Sequence, residues 1–132
     1  MAAAKCSSSG LGVAVSKEKE KGTTLETMLA DWLNERFETD EFHRLPLKGS
    51  KDEGDVGWLK VHGRKIVLEA KNHKRITPAE FIEEAERERG NADALAKAVV
   101  MKRRGVGRKR FGETYVLMEL RDLVAIITGE EY

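Results

Sequence analysis

The stretch Asp55-Val56-Gly57-Trp58-Leu59-Lys60-Val61-His62-Gly63-Arg64-Lys65-Ile66-Val67-Leu68-Glu69-Ala70-Lys71 decides the fold, because its pairing register determines which side chains face a core. A two-residue turn at His62-Gly63 pairs Val56 with Glu69 and leaves Asp55 on the face opposite Glu69. A three-residue loop, Val61-His62-Gly63, places Gly63 at the left-handed position such loops favour. It pairs Asp55 with Glu69, Gly57 with Val67 and Leu59 with Lys65. The other face is then Val56, Trp58, Ile66, Leu68 and Ala70, uniformly apolar. A one-residue slip moves every side chain to the wrong face, so burial predicts the three-residue loop. In that register the Cβ atoms of Asp55 and Glu69 stand about 5 Å apart. Two acids so opposed repel each other unless a cation lies between them. Carboxylate oxygens are hard ligands of the kind Mg²⁺ takes from protein, and Lys71 falls one pleat further along the face of Glu69.

Upstream, Leu25, Met28, Leu29, Trp32, Leu33 and Phe37 recur at helical spacing from Thr23 onward, and Thr23-x-x-Glu26 reads as a capping box. Trp32 and Trp58 fall on apolar stripes and are core candidates. Phe42 to Leu47 reads as a first strand, and Lys48 to Gly54 as a loop of turn residues. Residues 1–21 join small residues, a serine run and Lys17-Glu18-Lys19-Glu20-Lys21, the pattern of a mobile tail before a single domain over residues 22–132.

Downstream, Thr77-Pro78-Ala79-Glu80 opens a second helix, with Pro78 at its first position and Glu80 placed for a capping box. The periodicity predicts that it runs to Arg104, turning Ile82, Ala85, Ala92, Ala96 and Val99 inward, with Gly90 as the place where it can break. Tyr115 to Leu120 reads as a strand buried on both faces apart from Glu119. A short helix over Arg121–Ile127 then lines up Leu120, Leu123, Val124 and Ile127 on one face. Helix, strands, helix, strand, helix predicts an α/β sandwich, a central mixed β-sheet flanked by helices.

Composition narrows the function classes. The chain of 132 residues carries 36% charged residues yet a net charge of only +1, so affinity for nucleic acid has to come from a local patch. Lys102-Arg103-Arg104-Gly105-Val106-Gly107-Arg108-Lys109-Arg110 is such a patch, with six cations in nine residues. Its cations would neutralise phosphates, with Lys74 and Arg75 extending the surface. No base-reading motif accompanies them, so the expectation is recognition of DNA shape. The single cysteine, Cys6, excludes an internal disulfide and points to a reducing compartment. No apolar run approaches a membrane span and no secretory signal is visible, so the expected location is cytoplasmic.

These residues resemble the PD-(D/E)XK nuclease superfamily, and within it the Holliday-junction resolvases of archaea and of tailed phages. The resemblance covers roughly Gly22 to Ile127. Size and the Leu117-Met118-Glu119-Leu120 stretch before the last helix look most like the small resolvases of mycobacteriophages. It implies a restriction-endonuclease-like core, and a host bacterial cytoplasm if the chain is phage-encoded. It implies catalytic roles for Glu26 on the first helix, Asp55, Glu69 and Lys71. Asp55, Glu69 and the Ala70 carbonyl would be ligands of Mg²⁺, which Mn²⁺ can replace. Lys71 would orient the attacking water or stabilise developing charge. The implied activity is metal-dependent cleavage of branched DNA by paired symmetric nicks, hence a homodimer. Gly54 stands where the superfamily commonly has proline, and Ser50 is a candidate for a functional loop serine. Three other readings stay open: the same core acting on flaps, single strands or duplex; a non-catalytic DNA-binding module of that fold; and an interaction protein using its charged second helix.

Overall fold

The hairpin forms, but with a turn the hydrophobic pattern does not predict. The structure, a computed structural model, describes residues 17–46, 51–57 and 59–132, with side chains from residue 24 onward. Strands β1 (Lys60–Val61) and β2 (Arg64–Lys71) pair Lys60 with Lys65 and Val61 with Arg64. The loop is therefore the two-residue one. His62 and Gly63 both take positive φ, 55° and 74°, as a type I′ turn demands. The register predicted from burial is nevertheless recovered further along, where Val56 bridges Leu68. Between the contact of Leu59 with Ile66 and that of Val56 with Leu68, the first arm spans two residues and the second spans one. Such a bulge absorbs one residue and twists the ribbon. It reconciles the tight turn with an apolar core face. Trp58 lies outside the described residues.

Helix α1 (Lys17–Phe37) precedes the hairpin, and α2 (Pro78–Ala92) leads to strand β3 (Ala96–Met101), which lies parallel to β2. A 3₁₀ turn over Arg108–Glu113 precedes β4 (Tyr115–Leu117), antiparallel to β3, and α3 (Leu120–Thr128) follows. The result is a four-stranded mixed sheet in the order β1-β2-β3-β4. On one face Leu25, Leu29 and Leu33 of α1 pack with Ile66, Leu68, Ala70, Ala96, Ala98 and Val100. On the other, Phe81 and Ala85 of α2 pack with Val99, Ile82, Met101 and Leu117. Alternation along β2 and β3 assigns each side chain to one layer or the other.

Several expectations need correcting. The long second helix does not reach Arg104: it ends at Ala92, and Ala96 and Val99 belong to a buried strand. Asp93 takes the left-handed conformation, and the amides of Asp93 and Ala94 cap the Gly90 and Arg89 carbonyls. Beyond that stop, an alanine- and valine-rich run buried on both sides suits a parallel strand as well as a helix. Helix α1 already includes Thr23, so Thr23-x-x-Glu26 is not a helix start. Thr77 occupies the N-cap of α2 with no side-chain capping bond. The expected first strand survives as a short extended pairing around Arg44–Val56, in which Leu45 donates to the Asp55 carbonyl and Gly57 to that of His43. Strand β4 is an open edge with Tyr115 and Val116 about half exposed, each at 53%. Glu119 is not a strand residue but the N-cap of α3, in a reciprocal capping box with Asp122. Residues 1–16 of the expected tail, including Cys6, lie outside the described residues, as does Ser50.

Candidate active site and phosphate groove

Gly54 begins the site. Its φ of +105° is open to glycine and closed to proline, and a Cβ there would stand 3.0 Å from Val67 and 3.1 Å from the Leu68 carbonyl. The close approach lets Asp55 donate its amide to the Leu68 carbonyl and turn its side chain along β2. Asp55 Oδ2 then accepts the Ala70 amide at 2.7 Å. Glycine rather than proline at position 54 thus has a local backbone cause.

Four acids converge beside this point. Glu69, on the α2 face of β2, is buried, and Glu84 and Glu88 reach toward it from successive turns of α2. One carboxylate oxygen from each of Glu69, Glu84 and Glu88 lies within 4.8 Å of the other two. Burial raises Asp55 to about 6, against the Ala70 amide and Lys71, with the charges of Glu84 and Asp52 adding to the rise. Burial raises Glu88 further, to about 8, and the charges of Asp55 and Asp52 push the same way. Glu88 is only 4% exposed, and its Oε2 has no hydrogen-bond partner among the described residues.

Lys71 is the cation within this cluster. Its Nζ donates to Glu84 at 2.8 Å and lies 5.7 Å from the centroid of the Phe81 ring. Glu26, on α1, pairs with Arg44 at 2.9 Å. Burial raises its pKa against that hydrogen bond, and the charge of Asp55 contributes to the rise. Glu26 is therefore within electrostatic reach of Asp55, with Arg44 between it and full desolvation.

The predicted phosphate-binding residues divide. Lys74, Lys102, Arg103 and Arg104 line one groove of about 730 Å³ with His73 and Tyr115. It opens where β2 and β3 end, directly after Lys71 and Met101. Arg103 stacks 4.6 Å from the Tyr115 ring centroid and donates to the Glu113 carbonyl, which stiffens one wall. Lys102 donates to the Val106 carbonyl, closing the loop on itself. Arg108 belongs elsewhere, paired with Asp31 of α1 at 3.0 Å, and Arg110 pairs with Glu113 at 2.7 Å. Arg75 and Lys109 are exposed.

Glu84 and Glu88 are absent from the residues singled out in the sequence. One signal was present: Phe81, Ala85 and Glu88 follow i, i+4, i+7 spacing, so a glutamate sits on the buried stripe of α2. His62 contributes to folding, with Nε2 3.0 Å from the Ile126 carbonyl of α3. No family profile, curated protein or solved structure gives a significant match to this chain. Among the described residues, no helix is long and apolar enough to cross a membrane.

Proposed function

We propose that this chain is a metal-dependent DNA endonuclease with a restriction-endonuclease-like core, acting on four-way junctions as a resolvase of the PD-(D/E)XK type. The observation that carries the reading is the gathering of Asp55, Glu69 and Lys71 along the last residues of β2, whose continuation, Asn72 to Lys74, lines the basic groove. The order of α1 with Glu26, the hairpin, and α2 supports it. So does the donor set: all-oxygen, acidic, and containing a buried carboxylate oxygen without a partner, it fits a hard divalent cation.

Asp55 and Glu69 would hold Mg²⁺ or Mn²⁺, which supplies Lewis acidity toward the water and the phosphate. The Ala70 amide fixes the Asp55 carboxylate, so the ligand needs no reorientation. Lys71, enclosed by Glu84 and Phe81, orients the attacking water and offsets negative charge growing on the phosphate. The water oxygen bonds to phosphorus in line as the bond to the 3′ oxygen breaks, leaving 5′-phosphate and 3′-hydroxyl ends. Lys74 and Lys102–Arg104 hold the flanking phosphates.

Paired nicks need two sites, which supports a homodimer. Leu120, Leu123, Val124 and Ile127 of α3 are all exposed, as is Val116 on the edge strand β4. A self-complementary apolar face of this kind suits a two-fold interface. Helix α1 has its apolar stripe committed to the core.

The test is cleavage of a synthetic four-way junction against matched duplex, flap and single-stranded DNA, in Mg²⁺, Mn²⁺ and EDTA. Asp55→Asn and Glu69→Gln are expected to lose at least about a hundredfold in cleavage rate while retaining junction binding. Equal cutting of every substrate keeps the nuclease and removes the junction selectivity. Tight junction binding without cutting in any metal leaves a DNA-binding module.

A further inference from the structure

Asp55, Glu69, Glu84 and Glu88 bring four carboxylates to one place, and Lys71 is the cation paired within the group. Lys71 is committed to Glu84, and the exposed side of the cluster cannot serve Glu88, which is 4% exposed. Its Oε2 is buried without any hydrogen-bond donor among the described residues. A glutamate on the apolar stripe of a helix, unpartnered and beside other acids, has no stabilising role in the bare protein.

We infer that Glu69, Glu84 and Glu88 form a divalent-cation site in which α2 supplies two of the three carboxylates, with Glu88 a direct ligand. The geometry suits it. Oxygens around a Mg²⁺ or Mn²⁺ ion held at about 2.1 Å stand roughly 3–4 Å apart, and these lie within 4.8 Å of one another. Glu84 and Glu88 are four residues apart, so both project from the same side of α2 toward β2. Three hard carboxylate oxygens select Mg²⁺, Mn²⁺ or Ca²⁺ over softer ions. Because Glu69 belongs both to this set and to the pair with Asp55, α2 becomes part of the metal centre rather than only a layer of the sandwich. The inference deepens the nuclease reading by adding ligands to the same centre, but the site itself is tested without DNA.

The experiment is a titration of the full chain with Mn²⁺ in the absence of DNA, following free ion by electron paramagnetic resonance. Wild type, Glu88→Gln, Glu84→Gln and Asp55→Asn are compared. Glu88→Gln is expected to weaken Mn²⁺ binding at least about tenfold, or to remove one bound ion, with a melting temperature in EDTA no lower than wild type. If Glu88→Gln fails to fold, Glu84→Gln carries the same expectation from a partly exposed position. A wild-type chain that binds no Mn²⁺ at millimolar concentration overturns the site, as does wild-type binding by both α2 variants. Mn²⁺ binding that depends on Glu88, in a chain that cuts no DNA, keeps the site and removes the nuclease. Metal-dependent cleavage that survives in both α2 variants, with unchanged Mn²⁺ affinity, keeps the nuclease and removes the site.

Discussion

Helix α2 borders two groups of buried charge, and they are built on opposite plans. Around Lys97, which is fully buried, stand Asp122 at 2.8 Å, Glu119 at 2.8 Å and Glu86 at 3.0 Å. Arg89 pairs with Glu86 at 2.6 Å and Glu131 at 3.6 Å, Arg121 with Glu119 at 3.0 Å and Arg64 with Glu131 at 3.6 Å, so four acids meet four bases. The Tyr132 hydroxyl bonds to both Lys97 and Asp122, and its ring lies under Arg89 and Arg121. Burial opposes the Lys97 charge, but hydrogen bonds to Asp122, Glu119, Tyr132 and Glu86 hold it above the ordinary lysine range. Around Glu88, by contrast, stand Asp55, Glu69 and Glu84, with the charge of Asp52 also acting on it, and among the described residues Lys71 is the cation paired with these carboxylates. The first group is complete without any ligand and reads as a brace joining α2, β3 and α3. The second is the one that the proposed cation would complete. Burial and acidity alone do not distinguish a structural network from a site; the charge balance does.

The largest effect should come from breaking the complete group. Lys97→Met leaves Asp122 and its neighbours without their central cation and is expected to cost about 3–5 kcal/mol, read from urea unfolding. Breaking the incomplete group should do the reverse. Glu88→Gln is expected to raise stability by about 2 kcal/mol in EDTA at pH 8, because the wild-type chain folds there only by keeping on Glu88 a proton that the unfolded chain releases, or by burying its charge. The gain should shrink as Mg²⁺ is added, since bound cation stabilises only the chain that keeps its ligands. A Glu88→Gln variant less stable than wild type in EDTA contradicts the comparison.

The two groups should also respond to pH with opposite sign. Glu86 is drawn down to about 2, first by the Arg89 hydrogen bond and then by Lys97 against the cost of burial. Its contribution is full above 4.5, the ordinary glutamate value, and disappears as pH falls toward 2. Glu88 behaves inversely. Its folded form keeps a proton up to about 8 while the unfolded chain releases it near 4.5, so metal-free stability falls across that interval. Melting temperature in EDTA should therefore peak between pH 4 and 5, and Mg²⁺ should raise the alkaline side alone. A flat profile from pH 5 to 8 that is insensitive to Mg²⁺ removes the unbalanced cluster. The smallest effect concerns Tyr132→Phe, which loses the hydroxyl bonds to Lys97 and Asp122 for about 1–2 kcal/mol. The Mg²⁺ response should be unchanged in that variant, measured by the same melts.

Much of this was legible without coordinates where the controlling physics is local. The period-2 pattern of Ile66, Leu68 and Ala70 against Val67, Glu69 and Lys71 marks β2 and places the acid and the lysine on one face. Pro78 fixes the start of α2, and the spacing of Leu25, Leu29 and Leu33 fixes the buried side of α1. The register opposite Glu69 follows from burial, although the chain reaches it by a tight turn and a bulge.

Other features depend on contacts between distant segments, and no local period encodes them. Ala96–Met101 is a strand because a parallel neighbour and two covering layers supply its pairing and burial; the same apolar run read alone extends α2. Tyr115 and Val116 are exposed because β4 lies at the edge of the sheet, a position set by strand order rather than by composition. Lys97 meets Glu86, Glu119 and Asp122, and Glu69 meets Glu84 and Glu88, only when α2 lies across β2 and β3. The sequence by itself determined the hairpin acids, the lysine beside them and the apolar faces, because backbone period and turn chemistry act over a few residues. Which charges balance each other was decided by tertiary packing alone, because Coulomb energy depends on distance in space and not along the chain.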